Sequence, residues 1–584
     1  MKSLATLPRS LLLLLLAVAP SIAVPQPWQP AEQVVLQQQS SSGKRGAVAS
    51  ESKVCSQIGI DLLKQGGNAV DAWIGTQLCV GVIGLYHSGL GGGGFSIIRD
   101  SRGNYTVIDY REAAPSAAFE DMYKDNILGS VWGGLAVGVP GELRGLEYAH
   151  KKFGALPWKE IVQPAAAVAR DGFAVTEDLV RYMQFGLSTT GWNFLVEDPS
   201  WAQDFAPNGV LVKSGDTMTR KRYAETLEQV AKHGADVFYK GPIAEATVRY
   251  IQENNGTMTL EDMADYDAII REPVSISYRG LKLFSSGVPS SGAVCLSTLK
   301  TMEGYDAADT STNTNLTLHR FDESMRFAYG AHQALGDPAF VPETPELEEL
   351  MLDSAHAESV RRRIRDDKTQ PVENYDPSQI YAPDSHGTSH VSVADGSGFA
   401  VSSTTTVNLL FGSLLMVPET GVVLNDEMND FSIPGVRNEF GYAPSPANYV
   451  RAGKRPLSSI TPVIVERPAT SGSAAATLFA VAGAAGGSRI ISATTQVLWH
   501  MLERDLSVKD AVAEPRFHDQ LMPNVVAFEY GFDNATVASM RSKGHNVTWV
   551  REGFSAVQAL RVLEDGTFEA AGETRQKNSA GLTL

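Results

Sequence analysis

The spacing of hydrophobic positions divides this chain into two parts. In the longer first part, apolar residues recur every three to four positions, which is typical of the buried face of a helix. This spacing predicts helices at residues 56–83, 143–153, 158–170, 227–232, 316–334 and 346–366, the first being a pair that breaks at Gly66 and Gly67. From Thr388 onward the spacing changes to two, which is typical of strands with one buried face. A further helix is predicted at residues 490–502, and an extended linker at residues 375–386.

A β-hairpin is predicted directly after this change of period. Its two alternating runs, 389–393 and 399–407, flank the turn sequence DGSG. On the second strand, Thr404, Thr406 and Asn408 share one face, because alternate side chains of a strand point the same way.

Composition indicates a globular protein and excludes one class of partner. The chain has 584 residues, of which 43% are hydrophobic and 20% are charged, so it can bury a large core. Its formal net charge of −17 argues against a nucleic-acid partner, since phosphate backbones are bound by clustered Lys and Arg. We therefore expect an acidic protein that does not bind nucleic acid.

The N-terminal residues are typical of a signal peptide. A basic start with Lys2 and Arg9 precedes an apolar run at residues 11–19, and small residues follow Pro20. The run is too short to span a bilayer, so we expect residues 1–23 to be removed after Ala23, in a protein that is secreted or vacuolar. A retained N-terminal membrane anchor is the alternative. Five glycosylation sequons fit the secretory pathway: Asn104, Asn255, Asn315, Asn534 and Asn546.

Thr388 is the main candidate for chemistry. A threonine hydroxyl needs a neighbouring base to act as a nucleophile, and its own α-amino group can serve. That group becomes free only if the peptide bond between Gly387 and Thr388 is cut. Taken alone, the residue is better explained as an ordinary strand threonine, since β-branched residues suit strands.

The sequence around Thr388 resembles the start of the small subunit of γ-glutamyltransferases, which are N-terminal-nucleophile hydrolases. The resembling segment, residues 387–413, reads GTSHVSVADGSGFAVSSTTTVNLLFGS. Further resembling motifs follow in the family's order: LYHSGLGGGGF (85–95), DYREAAP (109–115), LNDEMNDF (424–431), KRPLSSITP (454–462) and GAAGGSRI (483–490). Residues 438–450 and 514–524 are similar to the eukaryotic branch. The resemblance runs from about residue 45 to the C-terminus, so it covers a whole chain rather than one motif.

The resemblance implies a fold, a processing event and an activity. The expected fold is α+β, a four-layer αββα sandwich formed jointly by two chains cut from one precursor. These would be a large subunit, 24–387, and a small subunit, 388–584. The implied activity is that of a γ-glutamyltransferase and glutathione hydrolase, which takes glutathione and other γ-glutamyl compounds as donors. Water, an amino acid or a dipeptide would be the acceptor, and no metal or organic cofactor is implied.

The resemblance also implies residue roles, which the chemistry of each side chain suits. Thr388 would be the nucleophile, Thr406 its hydrogen-bond partner, and the N–H groups of Gly486 and Gly487 the oxyanion hole. For the γ-glutamyl head group, cationic and hydroxyl side chains would bind the α-carboxylate and acceptors would bind the α-ammonium. These residues are Arg111, Ser458 and Ser459 for the carboxylate, and Asn408, Glu427 and Asp430 for the ammonium. Phe440 lies near the position of a covering tyrosine in some bacterial relatives.

Other patterns carry alternatives. Cys55 and Cys79 match a paired position in eukaryotic relatives, which implies a disulfide, although two buried thiols are equally consistent with the sequence. The glycine run at residues 89–94, GLGGGG, satisfies G-x-G-x-x-G but lacks the acidic residue of a dinucleotide site, so a close-packed loop is expected. His386 and His390 have no third ligand, so they predict no metal site. For function, another acylase of this fold, such as a cephalosporin acylase, and an inactive secreted binding protein remain the alternatives.

Overall fold

The computed structural model describes residues 42–381, 387–437, 442–469 and 475–584. The predicted signal peptide, His386 and Phe440 lie outside these ranges. Among the described residues, no helix combines the length and hydrophobicity needed to cross a membrane.

Two seven-stranded antiparallel sheets form the centre of the molecule. The first sheet has the strand order Ala580–Thr583, Gly46–Ser50, Gly387–Asp395, Ala400–Asn408, Gly93–Arg99, Tyr105–Asp109 and Ile269–Arg271. The second sheet has the order Ser42–Gly43, Phe568–Ala571, Ala556–Val562, Thr477–Ala485, Val463–Arg467, Leu281–Ser286 and Pro273–Tyr278. Both sheets therefore take strands from either side of residue 387.

The two sheets pack face to face. Apolar side chains from both, including Ile97, Ile464 and Val481, form one buried cluster between them. Hydroxyls near the centre bond across the gap: Ser402 Oγ donates to the carbonyl of Ala482 at 3.0 Å.

Helices cover the outer face of each sheet. Ala69–Ile83 is buried along its whole length and packs on the strands Gly387–Asp395 and Ala400–Asn408. Arg489–Glu503 and Gly292–Met302 pack on the second sheet. The order is helix, sheet, sheet, helix, so the predicted αββα sandwich is confirmed. The other helices of five or more residues are Lys53–Lys64, Glu142–Phe153, Trp158–Asp171, Glu177–Thr190, Pro199–Phe205, Lys221–His233, Pro242–Glu253, Leu260–Asp265, Thr314–His332, Thr344–Leu352, Ser354–Arg363, Val508–Ala513 and Asn534–Ser542.

One predicted helix is two. The apolar pattern at residues 346–366 predicts a continuous helix, but the chain breaks at Asp353, whose backbone is extended (ψ 138°). The Asp353 carboxylate accepts hydrogen bonds from the N–H groups of Ala355 and His356 at 2.8 and 2.9 Å. It therefore caps a new helix, which competes successfully with continuation of the old one.

The glycine run allows two neighbouring strands of the first sheet to pack closely. A Cβ added at Gly92 would collide with the carbonyl oxygen of Thr406, and one added at Gly94 with that of Thr404. Larger residues would push the strand Gly93–Arg99 away from Ala400–Asn408. The run therefore shapes the strand that carries Thr406.

A disulfide joins Cys55 and Cys79, as the resemblance implies. It connects the helices Lys53–Lys64 and Ala69–Ile83, which pack against each other on the first sheet. Cys295 is buried and free.

Replacing both cysteines of this bond, Cys55→Ala with Cys79→Ala, should destabilise the protein by about 3 kcal/mol, because the bond closes a long loop in the unfolded chain. Thermal unfolding followed by circular dichroism measures the loss. Cys295→Ala is the matched control, since it removes a buried sulfur without a cross-link. If the double variant loses no more than twice the stability that Cys295→Ala loses, the bond has no stabilising role.

Candidate active site

Thr388 lies at the start of the strand Gly387–Asp395, buried in the middle of the first sheet. Its Oγ1 donates a hydrogen bond to the carbonyl oxygen of Gly387 at 2.5 Å. The hydroxyl of Thr406, on the neighbouring strand, donates to the same oxygen at 2.5 Å. The two hydroxyl oxygens are 3.4 Å apart. The carbonyl of the bond that is predicted to be cut thus accepts two hydroxyl hydrogen bonds.

The backbone around this bond is irregular. The pairing register of the two strands shifts between Gly387 and Ser389. Asn408, opposite Gly387, has a positive φ of 72°, and its N–H donates to Thr406 Oγ1 at 2.8 Å. A Cβ at residue 387 would collide with the carbonyl oxygen of Asn408, so the space admits only glycine. This distortion brings both hydroxyls to one carbonyl.

The arrangement suits attack on that carbonyl. A hydroxyl that already touches the carbonyl group needs little movement to reach its carbon. The donor on Thr406 points at the oxygen where negative charge would develop, which is the feature of an oxyanion-stabilising group.

His390 is not placed to act as a base at neutral pH. Burial lowers the pKa of its imidazole to about 3. Its Nδ1 lies 2.7 Å from Thr404 Oγ1, and its Nε2 lies 3.1 Å from Ser392 Oγ. These contacts give it a structural role between the two sheets.

A second cluster surrounds Arg111, whose guanidinium is buried. It forms ion pairs with Glu427 and, at 2.5 Å, with Asp430. Its Nε donates to the carbonyl of Pro456 at 3.3 Å, and Nη2 donates to that of Leu457 at 3.2 Å. As predicted, Glu427 and Asp430 share one face of a helical turn, here the short 3-10 helix Glu427–Asp430. The structure therefore brings the predicted carboxylate ligand and two predicted ammonium ligands together.

This cluster holds more acid than base. Burial raises the pKa of Glu427 well above its usual range; Arg111 opposes the rise, while the neighbouring carboxyls of Glu112 and Asp430 add to it. Burial also raises the pKa of Glu112 to about 7, against the effect of Arg111. The sequence argument missed Glu112, although its position next to Arg111 in the REAAP motif was a usable signal. An added cation, such as an ammonium group, would offset this excess of carboxyls.

Asn408 connects the two clusters. Its Nδ2 donates to the carbonyl of Asp426 at 3.0 Å, and Asp426 Oδ1 accepts from the N–H of Leu409 at 2.9 Å. Asp426, a second residue that the sequence argument missed, immediately precedes Glu427. Asn408 Oδ1 is buried and has no hydrogen-bond partner within the described ranges, so it remains free to accept.

Ser458 and Ser459 follow the two carbonyls that bind Arg111, in the irregular loop that the sequence predicts. Ser458 is buried; its Oγ accepts from the N–H of Ile460 at 3.2 Å and its carbonyl accepts from Ser291 Oγ at 2.6 Å. Ser459 is half-buried, and its carbonyl accepts from Thr461 Oγ1 at 3.0 Å. The loop thus lies at the Arg111 cluster, and a joint role of the two hydroxyls stays a prediction.

Gly486 and Gly487 follow the strand Thr477–Ala485 and precede the helix Arg489–Glu503, with φ values of 125° and 62°. Within the sandwich, a Cβ at Gly483 would collide with the imidazole of His390, two residues after Thr388. Because Ala482 faces Ser402 and Gly483 faces His390, the strand continues toward the end of the sandwich that carries Thr388. The role of Gly486 and Gly487 as oxyanion donors stays a prediction.

Comparison with known proteins supports a family assignment. The sequence matches the family described as Gamma-glutamyltranspeptidase over residues 55–583. It is 49% identical over 558 residues to a protein of Arthroderma benhamiae named Glutathione hydrolase proenzyme, and the match covers 93% of each chain.

Solved structures show the same fold. Cephalosporin acylase from Bacillus halodurans has a TM-score of 0.80 over 97% of this chain and 99% of its own, at 23% identity. Gamma-glutamyltranspeptidase from Helicobacter pylori has a TM-score of 0.52 at 30% identity, covering 59% of this chain and 96% of its own. At 23% identity the acylase supports the architecture alone.

Thr406→Val should slow cutting of the chain by roughly 100-fold, because it removes one of the two donors to the Gly387 carbonyl. Denaturing gel electrophoresis of freshly synthesised protein over time measures the rate. Thr404→Val is the matched control: it lies on the same face of the same strand, but its hydroxyl bonds His390. Equal slowing in both variants would show that the contact with the carbonyl is not what matters.

Proposed function

The chain belongs to the gamma-glutamyltranspeptidase family, and we propose that it is a glutathione hydrolase that activates itself by cutting the bond between Gly387 and Thr388. One observation carries the proposal. The hydroxyls of Thr388 and Thr406 both bond to the carbonyl oxygen of that bond, and Asn408 connects them to a buried cluster of charges suited to an amino-acid head group.

In the proposed cut, Thr388 Oγ1 attacks the carbonyl carbon of Gly387 and forms a C–O bond. The C–N bond breaks, and the nitrogen takes up the hydroxyl proton, so an ester replaces the amide. Thr406 stabilises the negative charge on the carbonyl oxygen during this exchange. The α-amino group of Thr388 is free from this point. Water then hydrolyses the ester, which leaves a carboxylate at Gly387 and restores the hydroxyl of Thr388.

The freed amine is the proposed base for turnover. An α-amino group has an unperturbed pKa of about 7.7–8.0, so roughly a tenth to a sixth of it is unprotonated at pH 7 and able to accept a proton. Thr388 Oγ1 attacks the γ-carbonyl of the substrate, and the N–H groups of Gly486 and Gly487 receive the developing negative charge. Cysteinylglycine leaves with the proton from the amine. Water, an amino acid or a dipeptide then resolves the γ-glutamyl ester.

The charge cluster is proposed to bind the α-amino and α-carboxylate groups of the substrate. In the uncut chain, Arg111 is paired with Glu427 and Asp430. A γ-glutamyl head group carries one negative and one positive charge, so it can insert between these partners without changing the net charge. Its carboxylate would bind Arg111, with Ser458 and Ser459, and its ammonium would bind the two acids and Asn408 Oδ1.

The alternatives are less well supported. The acylase resembles this chain in fold at 23% identity, whereas the named glutathione hydrolase is 49% identical over nearly the whole chain. A cluster with one buried arginine among several acids suits a zwitterion better than an uncharged side chain. An inactive binding protein would have no need of a hydroxyl pair on a backbone carbonyl.

Passage through the secretory pathway is a further part of the proposal. It rests on the N-terminal pattern at residues 1–23 and on five sequons whose asparagines are all exposed: Asn104, Asn255, Asn315, Asn534 and Asn546. Glycans at these positions would therefore meet no buried surface. A secreted or vacuolar destination follows, with a retained N-terminal anchor as the alternative.

Intact mass and N-terminal sequencing of the purified protein should reveal two chains, one beginning at Thr388 and one near Val24. Thr388→Ala should remain a single chain, because it lacks the attacking hydroxyl. A wild-type chain that stays whole and leaves γ-glutamyl-p-nitroanilide uncut would contradict the proposal.

In the same measurement, treatment with peptide-N-glycosidase should lower the mass if the sequons are glycosylated.

Arg111→Lys should raise KM for γ-glutamyl-p-nitroanilide by roughly tenfold or more and leave chain cutting intact. Lysine retains the charge but cannot hold two oxygens with a planar pair of donors. Arg99→Lys is a suitable comparison, since Arg99 is another buried arginine, paired with Glu466 at the far end of the strand Gly93–Arg99. An unchanged KM in Arg111→Lys would rule out its role in binding the carboxylate.

A further inference from the structure

A buried group of histidines and acids lies at the helix Thr314–His332 and the segments packed against it, among residues that the proposed reaction does not use. His545, Asp322 and Asp519 place potential metal-ligand atoms within 4.8 Å of one another, and all three residues are buried. A second possible set shares His545 and adds His319 and Glu323 from the same helix. The hydrogen bonds around His545 distinguish between these two sets.

The protonation of the two imidazoles follows from a backbone carbonyl. His319 Nε2 lies 2.7 Å from the carbonyl oxygen of Arg365, which can only accept, so this nitrogen carries the hydrogen. Burial favours neutral imidazoles, so His319 Nδ1 is an acceptor. His545 Nε2 lies 2.8 Å from it and must donate. The remaining nitrogen, His545 Nδ1, is therefore left with an unprotonated lone pair.

That lone pair lies beside a carboxylate. His545 Nδ1 is 3.1 Å from Asp322 Oδ2, and both side chains are wholly buried. The two groups are not aligned for a hydrogen bond, and within the described chain neither His545 Nδ1 nor either oxygen of Asp322 has a hydrogen-bond partner. Two ligands of one cation, each about 2.1 Å from it, lie about 3.0–3.4 Å apart. The observed separation fits a shared cation.

The carboxyls of Asp322 and Asp519 both lie near one arginine, Arg326, which forms its ion pair with Asp519 at 2.6 Å. Glu323 is occupied separately, because both of its oxygens accept from the hydroxyl of Tyr375 at 2.7 Å.

We propose that His545, Asp322 and Asp519 bind a divalent transition-metal cation, of which Zn²⁺ is the best match. One imidazole nitrogen with two carboxylates is a donor set that Zn²⁺ accepts, with water completing the coordination. The Arg365 carbonyl and His319 orient the ligating ring through its other nitrogen, as hydrogen-bonded partners do at metal-binding histidines. Asp519 is bound at Oδ2 by Arg326 and at Oδ1 by the N–H of Leu521, and each oxygen retains a second acceptor position.

The ligands come from both sides of the proposed cut. Asp322 precedes Gly387, whereas Asp519 and His545 follow Thr388. The cation would cross-link the two chains at a distance along the sequence from the active site. It has no part in the proposed acyl transfer.

Metal content is the test. Tag-free wild-type protein is incubated with ZnCl₂, passed through a desalting column and analysed by inductively coupled plasma mass spectrometry. We expect about one zinc per molecule, counting the large and small subunits together, falling at least tenfold in Asp322→Asn. Asp204→Asn is the matched control, since Asp204 is also a buried aspartate, paired with Arg222 and without a histidine, and it should keep its zinc. The uncut Thr388→Ala variant should also carry zinc, which separates this site from chain cutting.

Chelation provides a second readout on the wild-type protein itself. Removing the cation with dipicolinate should lower the midpoint of thermal unfolding by a few degrees, and the chelator should leave Asp322→Asn unaffected. Less than a tenth of a zinc in wild type would overturn the proposal, as would equal zinc in Asp322→Asn. Loss of zinc in Glu323→Gln but not in Asp322→Asn would move the site to the other face of His545 and overturn the ligand assignment.

Discussion

The geometry of the candidate active site depends on the position of one buried peptide bond. The bond between Gly387 and Thr388 lies at the end of a strand that has hydrogen-bonded neighbours on both sides, Gly46–Ser50 and Ala400–Asn408. Those neighbours hold the strand in place whether or not its first bond is intact. The glycine run keeps Gly93–Arg99 tight against Ala400–Asn408, which fixes the hydroxyl of Thr406 beside the Gly387 carbonyl. A group can be pre-positioned for chemistry only when its supporting shell is this rigid.

The buried charged groups around Arg111 are also held in place by one another. An arginine and several carboxyls removed from water are costly unless they pair with one another. Here the groups proposed to bind a substrate pair among themselves in the uncut chain, as Arg111 does with Glu427 and Asp430. The cluster can therefore fold without a ligand and still be matched to a zwitterion.

The sequence predicts the local features of this molecule better than its long-range ones. The hairpin after Thr388, the helical turn at Glu427 and the irregular loop at Ser458 follow from period and turn chemistry, and the site residues followed from the family resemblance. The helix Gly292–Met302 was missed, because its residues are buried nearly all round and so show no amphipathic period. The break at Asp353 was missed because a local cap overrode the apolar pattern. The cluster around His545 gives no local signal, since Asp322 is some two hundred positions away from Asp519 and His545 and meets them only through the fold.

The mixed origin of the two central sheets has a consequence for how a cut molecule recovers from damage. Each sheet contains strands from residues before 387 and residues after 388. The uncut chain can form these sheets by folding on itself, whereas separated fragments would have to meet again in solution, at a rate set by their concentration. Once cut and unfolded, the protein would in practice be lost to aggregation before its halves reassembled, so its working lifetime would be governed by the barrier to unfolding. The protein therefore folds as the uncut precursor, and the cut form has to stay folded because it cannot readily refold.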